Sequence, residues 1–108
     1  MEIIGDAYEP EEQAMAWYCY LEDQVRFPFR ARCIQETATS PLCRGDEVEV
    51  VEMAPEEECE YAMFVGIRWR QRLLAVPLSQ LKPTVLTDRH TKEAVADWHY
   101  WVARGYEF

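Results

Sequence analysis

The chain has 108 residues, of which 49% are hydrophobic and 13% aromatic, and its formal net charge is −9. That length and apolar content suit one folded domain over residues 1–108 and exclude a disordered chain. The negative balance argues against nucleic acid and anionic membrane, which both need a basic surface, and favours cations or a basic partner.

No apolar run approaches the ~18 residues of a membrane span. Met1-Glu2-Ile3-Ile4-Gly5-Asp6 has neither the basic nor the apolar region of a secretory signal, so the expected location is the cytoplasm. The four cysteines, Cys19, Cys33, Cys43 and Cys59, are scattered and form no CxxC pair. They read as reduced, mostly buried thiols and not as zinc ligands with His90 and His99.

Residues 10–25 predict a helix. Pro10 suits a first helical turn, and Glu11 and Glu12 lie where the helix dipole favours acids. Ala14, Trp17, Tyr18, Leu21 and Val25 share one face, and Phe27-Pro28-Phe29 ends the helix because a residue before proline avoids helical geometry.

The middle of the chain reads as β. Phe29, Ala31 and Cys33 alternate with Arg30 and Arg32. Residues 36–45 have the composition of a loop, and Asp46–Met53 alternates again. Residues 61–69 predict a third strand, Arg70-Gln71-Arg72 a tight connection, and residues 73–78 a fourth strand closed by Pro77. Residues 77–83 predict a short 3₁₀ turn. Residues 91–103 predict a second helix with Ala94, Val95, Trp98, Trp101 and Val102 on one face and Gly105 after its end. The expected fold is α+β: a small SH3-like β-barrel of four to five strands, flanked by an N-terminal and a C-terminal helix.

Charge is unevenly placed. Residues 1–25 hold seven acids and residues 45–67 hold eight, so 15 of the 20 acidic residues fall in two stretches without a Lys or Arg. In the second stretch, Glu56, Glu57, Glu58 and Glu60 place four carboxylates within five positions. Such a run repels itself and concentrates cations around it, but alone it does so diffusely.

Calcium takes ~6–8 oxygen ligands, and loops supply them best because their carbonyls are free. Glu36, Thr37 and Thr39, with Asp46 at the far end of the first loop, form one oxygen-rich segment. Glu56, Glu57, Glu58 and Glu60 form another. In a barrel of this type the two loops lie on the same side, so the two segments are expected to converge on one metal site. A second, weaker site would use acids near the end of the first helix, Glu22 and Asp23. No segment has the alternating acids, central Gly and terminal Glu of an EF-hand.

Other readings carry less. No Cys–His or Ser–His nucleophile motif is present, nor a Gly-rich phosphate loop, so the chain is not expected to be an enzyme. His99 reads as a packed residue on the edge of the second helix. The tryptophans read as core between the helices and the sheet. The rival function is an acidic SH3-like interaction module that binds a basic protein or peptide.

Several blocks resemble a known family. Glu-Glu-Gln-Ala-Met-Ala-Trp-Tyr-Cys-Tyr-Leu-Glu-Asp (11–23), Phe-Pro-Phe-Arg-Ala (27–31) and Ser-Pro-Leu-Cys-Arg-Gly-Asp-Glu-Val-Glu-Val (40–50) carry the first half. Met-Ala-Pro-Glu-Glu-Glu-Cys (53–59), Ala-Val-Pro-Leu-Ser-Gln-Leu (75–81) and Ala-Asp-Trp-His-Tyr-Trp (96–101) carry the second. Together they are similar to the cyanobacterial calcium-binding protein family, CcbP-like, over most of the chain. The resemblance implies a small acidic cytoplasmic protein that binds and buffers Ca²⁺ without an EF-hand. The oxygen-rich positions matching it are Glu36, Thr37, Thr39, Asp46 and residues 56–60.

Overall fold

The computed structural model describes residues 10–38, 40–59 and 62–104. Helix α1 runs Pro10–Gln24 and helix α2 runs Arg89–Ala103. Between them lie β1 (Phe29–Cys33), β2 (Glu47–Met53), β3 (Phe64–Trp69), β4 (Arg72–Pro77) and β5 (Leu81–Pro83). One 3₁₀ turn, Glu56–Cys59, follows β2, and another, Leu78–Gln80, links β4 to β5.

The five strands form one antiparallel sheet in the order β4-β3-β2-β1-β5. Among the described residues β4 and β5 do not pair, so the sheet is open where a closed barrel was expected. The alternation in β1 and β2 explains their register. Phe29, Ala31 and Cys33 point inward with Val48, Val50 and Met53, while Arg30, Arg32 and Glu47 face solvent.

Both helices lay their apolar faces against this inner surface. Trp17 of α1 is buried edge-on to Trp98 of α2, with ring centroids 5.1 Å apart and planes at 72°. Such edge-to-face geometry suits the ring quadrupoles and adds to the burial of two large apolar side chains. Leu21, Val25, Ala94 and Val95 belong to the same buried cluster, whereas Val102, expected on the same face as the last two, is exposed near the end of α2.

Local chemistry fixes the ends of these elements. Asp88 caps α2, its carboxylate accepting from the Thr91 amide at 3.0 Å, which starts the helix at Arg89, two residues before the expected start at 91. Gly105 lies outside the described residues. Strand β3 begins at Phe64, whose amide donates to the Cys59 Sγ at 3.3 Å, so residues 62 and 63 fall outside the strand; the predicted start at 61 lies outside the described residues. β5 is a three-residue strand where only a 3₁₀ turn was expected; its Leu81, Lys82 and Pro83 pair with Cys33, Arg32 and Ala31. The β3–β4 hairpin turns through Arg70 and Gln71, at φ 47° and 67°, as a two-residue connection requires.

The remaining polar core is small. His99 donates from Nε2 to the Leu81 carbonyl at 2.6 Å, tying α2 to β5. His90 lies exposed in the first turn of α2. Cys33 and Cys59 are buried, but Cys19 and Cys43 are exposed, so half of the thiols depart from the expected burial. No described helix is long and apolar enough to cross a membrane.

Candidate metal centre

The first loop is pinched shut where it leaves β1 and enters β2. The Gly45 amide donates to the Cys33 carbonyl at 2.8 Å, and the Cys33 amide donates to the Asp46 carbonyl at 2.7 Å. Within the neck, residues 43–46 make a tight turn, closed by the Asp46 amide on the Cys43 carbonyl at 3.0 Å. Gly45 has φ +96°, a left-handed conformation that a side chain rarely adopts, so glycine suits this position.

Two predicted carboxylates are anchored at that turn. Asp46 Oδ2 accepts from the Cys43 amide at 2.8 Å, and Glu36 Oε2 accepts from the next amide, that of Arg44, at 3.4 Å. Neighbouring backbone donors therefore hold Glu36 and Asp46 on one short piece of chain. Each carboxylate keeps acceptor capacity beyond its single bond. The Thr37 carbonyl accepts from the Ser40 amide at 3.4 Å, and Ser40 Oγ accepts from the Leu42 amide at 3.2 Å, so the loop folds back on itself. Thr39 lies outside the described residues.

The glutamate-rich segment sits elsewhere. Glu56, Glu57 and Glu58 occupy an exposed 3₁₀ turn after β2 that packs against α1. Asp46 enters β2 and Glu56 follows its far end, and six steps of strand separate those ends by about 20 Å. Among the described residues no three His, Cys, Asp or Glu side chains converge as a metal-holding group. The expected meeting of the two segments on one ion is therefore not seen in the described residues. Successive loops of an antiparallel meander leave from opposite ends of the strand they share. Glu60 lies outside the described residues.

A different neighbour appears at the glutamate turn. Tyr18 of α1 donates its hydroxyl to the Ala54 carbonyl at 2.9 Å, just before the turn. Burial raises its phenol pKa, and the charges of Glu22, Cys59, Glu56 and Glu57 raise it further. Glu22, named at the sequence level only as part of a weaker site, thus shares this acidic surface. Position in sequence gave no signal for that, because 34 residues separate Glu22 from Glu56.

The ion pairs complete the electrostatic picture. Arg32 with Glu47, Arg68 with Glu49 and Arg89 with Glu93 join charges on the sheet and on α2. Among the described residues, no Lys or Arg pairs with Glu36, Asp46, Glu56, Glu57 or Glu58. Their negative charge stays uncompensated by the chain itself. An all-oxygen, anionic, loop-borne donor set suits a hard divalent cation and not a soft one.

A family model described as calcium binding, Calci_bind_CcbP, matches residues 1–102. No curated protein matches the chain. Two solved structures are similar to it. The crystal structure of Anabaena CcbP is 40% identical with a TM-score of 0.84, over 99% of this chain and 87% of that one. A calcium-binding protein in its calcium-binding form is 38% identical with a TM-score of 0.85, over 100% and 88%. The chain belongs to the CcbP family of calcium-binding proteins.

Proposed function

We propose that this protein is a Ca²⁺ binder and buffer of the cytoplasm whose principal site is the neck of the first loop, without an EF-hand. The observation that carries the reading is the pair Glu36 and Asp46, held on adjacent amides of one turn with no basic residue paired to either. Glu36 and Asp46 would supply carboxylates, and Thr37 and Thr39 neutral oxygens from the same loop. When bound, Ca²⁺ supplies the positive charge that relieves repulsion among these groups.

Glu56, Glu57 and Glu58, with Glu22 near them around Tyr18, form a second acidic wall at the far end of β2, to which the sequence adds Glu60 as a further candidate carboxylate. This wall concentrates cations and offers a weaker site. Partly exposed carboxylates under mutual repulsion correspond to an affinity of roughly 10⁻⁶–10⁻⁴ M. We read residues 1–108 as one domain with no catalytic role. The strand order, in which β5 returns beside β1, supports an SH3-like reading of the sheet.

Calorimetric titration with CaCl₂ and with MgCl₂ at physiological salt tests the proposal. Heat and a rise in melting temperature with Ca²⁺, and a much weaker response to Mg²⁺, are expected. Equal responses would reduce the effect to charge screening. The rival reading, an acidic module for a basic partner, rests on the same uncompensated acids. It predicts that Ca²⁺ has little effect and that Thr39→Val is silent, whereas the calcium reading predicts a weakened site.

A further inference from the structure

The segment Thr84–Asp88 joins β5 to α2 and is firmly held. The Thr87 amide donates to the Thr84 carbonyl and the Thr84 amide to the Arg30 carbonyl, both at 3.0 Å. Lys92 Nζ donates to the Val85 carbonyl at 2.6 Å. The two central residues of this turn are Val85 and Leu86, which are 86% and 93% exposed. Turn centres ordinarily carry Gly, Pro, Asn or Asp. Here a hydrogen-bonded turn holds two aliphatic side chains in water, where each forgoes the favourable transfer to an apolar environment.

Beside this knob opens a cleft of about 350 Å³, lined by Pro28, Phe29, Arg30, Leu86 and Asp88 among others. Its lining is partly apolar and carries both signs of charge, in Arg30 and Asp88. Asp88 stays ionised because its hydrogen bond from Thr91 and the nearby Arg26 hold its carboxyl below the usual range.

A contact between identical surfaces must be self-complementary: each patch needs both the protruding and the receiving part, and both charges. This patch has all four. A flat bilayer would not fill the cleft, and an anionic one would repel a chain of net charge −9. An unrelated partner would need only one half of the arrangement.

We propose that this face joins two copies of the chain about a two-fold axis. Leu86 of each copy enters the cleft of the other, and Arg30 of each faces the Asp88 of the other. The patch is small against the ~800 Å² per partner of a standard interface, and like net charges oppose approach, so the dimer is weak. The proposal does not rest on the calcium reading.

Sedimentation equilibrium of the full chain, with a chelator present and ~0.15 M salt to screen net repulsion, tests it. Over concentrations up to about 1 mM the weight-average mass should climb from 12.8 kDa towards twice that value. Leu86→Asp should remove the climb, and Arg30→Asp should weaken association about tenfold, with circular dichroism unchanged for both. A wild type that stays monomeric throughout would overturn the proposal. So would a Leu86→Asp variant that associates like the wild type.

Discussion

Glu36 and Asp46 lie ten positions apart, yet their carboxylates accept hydrogen bonds from the consecutive amides of Arg44 and Cys43. Replacing either carboxylate by its amide, Glu36→Gln or Asp46→Asn, keeps shape and removes charge. Each should weaken Ca²⁺ binding by about tenfold, equivalent to ~1.4 kcal/mol, because oxygen sites are tuned by ligand charge. Glu93→Gln, on α2, should leave binding unchanged. Calorimetry of the three variants checks this.

Gly45→Ala tests the turn itself. No atom outside the neighbouring residues lies within 4 Å of the added methyl group, so the cost comes from the φ of +96° and not from a clash. A left-handed backbone costs an L-residue about 1–2 kcal/mol. Urea denaturation should show that loss. Calcium affinity should fall as well, since the turn places Asp46.

Tyr18 reports on the second acidic wall. Burial and then neighbouring carboxylates hold its phenol above the ordinary value. A cation held by Glu56 and Glu57 would offset the carboxylate part and let the phenol ionise at lower pH. Saturating Ca²⁺ should therefore shift the Tyr18 transition downward in an ultraviolet titration, and Tyr18→Phe should remove that transition. An unchanged transition would show that bound ions do not sit at this wall.

Much of the fold was legible in the residues. The spacing of Ala14, Trp17, Leu21 and Val25, and the alternation in β1 and β2, state which side chains face inward. β5 was hidden because three residues, one of them proline, carry too little pattern. The Glu36–Asp46 pair was nameable as two oxygen-rich ends of one loop, but the amides that hold them together depend on the turn that Gly45 permits. The expected convergence with Glu56–Glu58 is not seen among the described residues, where those groups lie at opposite ends of β2. The nearness of Tyr18 and Glu22 to Glu56 was not legible, because only the packing of α1 on the 3₁₀ turn creates it.

Tyr20 sets the alkaline behaviour. Burial raises its phenol well above the ordinary value of 10.0, helped by its hydrogen bond to Asp97 at 2.7 Å. The folded state thus keeps a proton that the unfolded state releases. Its stabilising contribution is complete below pH 10.0 and declines as pH rises from there towards the folded value. Tyr20→Phe should flatten that decline in denaturation curves measured across alkaline pH.

Anomalous scattering from crystals grown or soaked in Ca²⁺ would locate the bound ion. An ion is expected at the neck of the first loop, within about 2.3–2.6 Å of carboxylate oxygens of Glu36 and Asp46. Calcium bound only at other residues, with Glu36 and Asp46 making no contact to it, would rule out the neck of the first loop as the principal site.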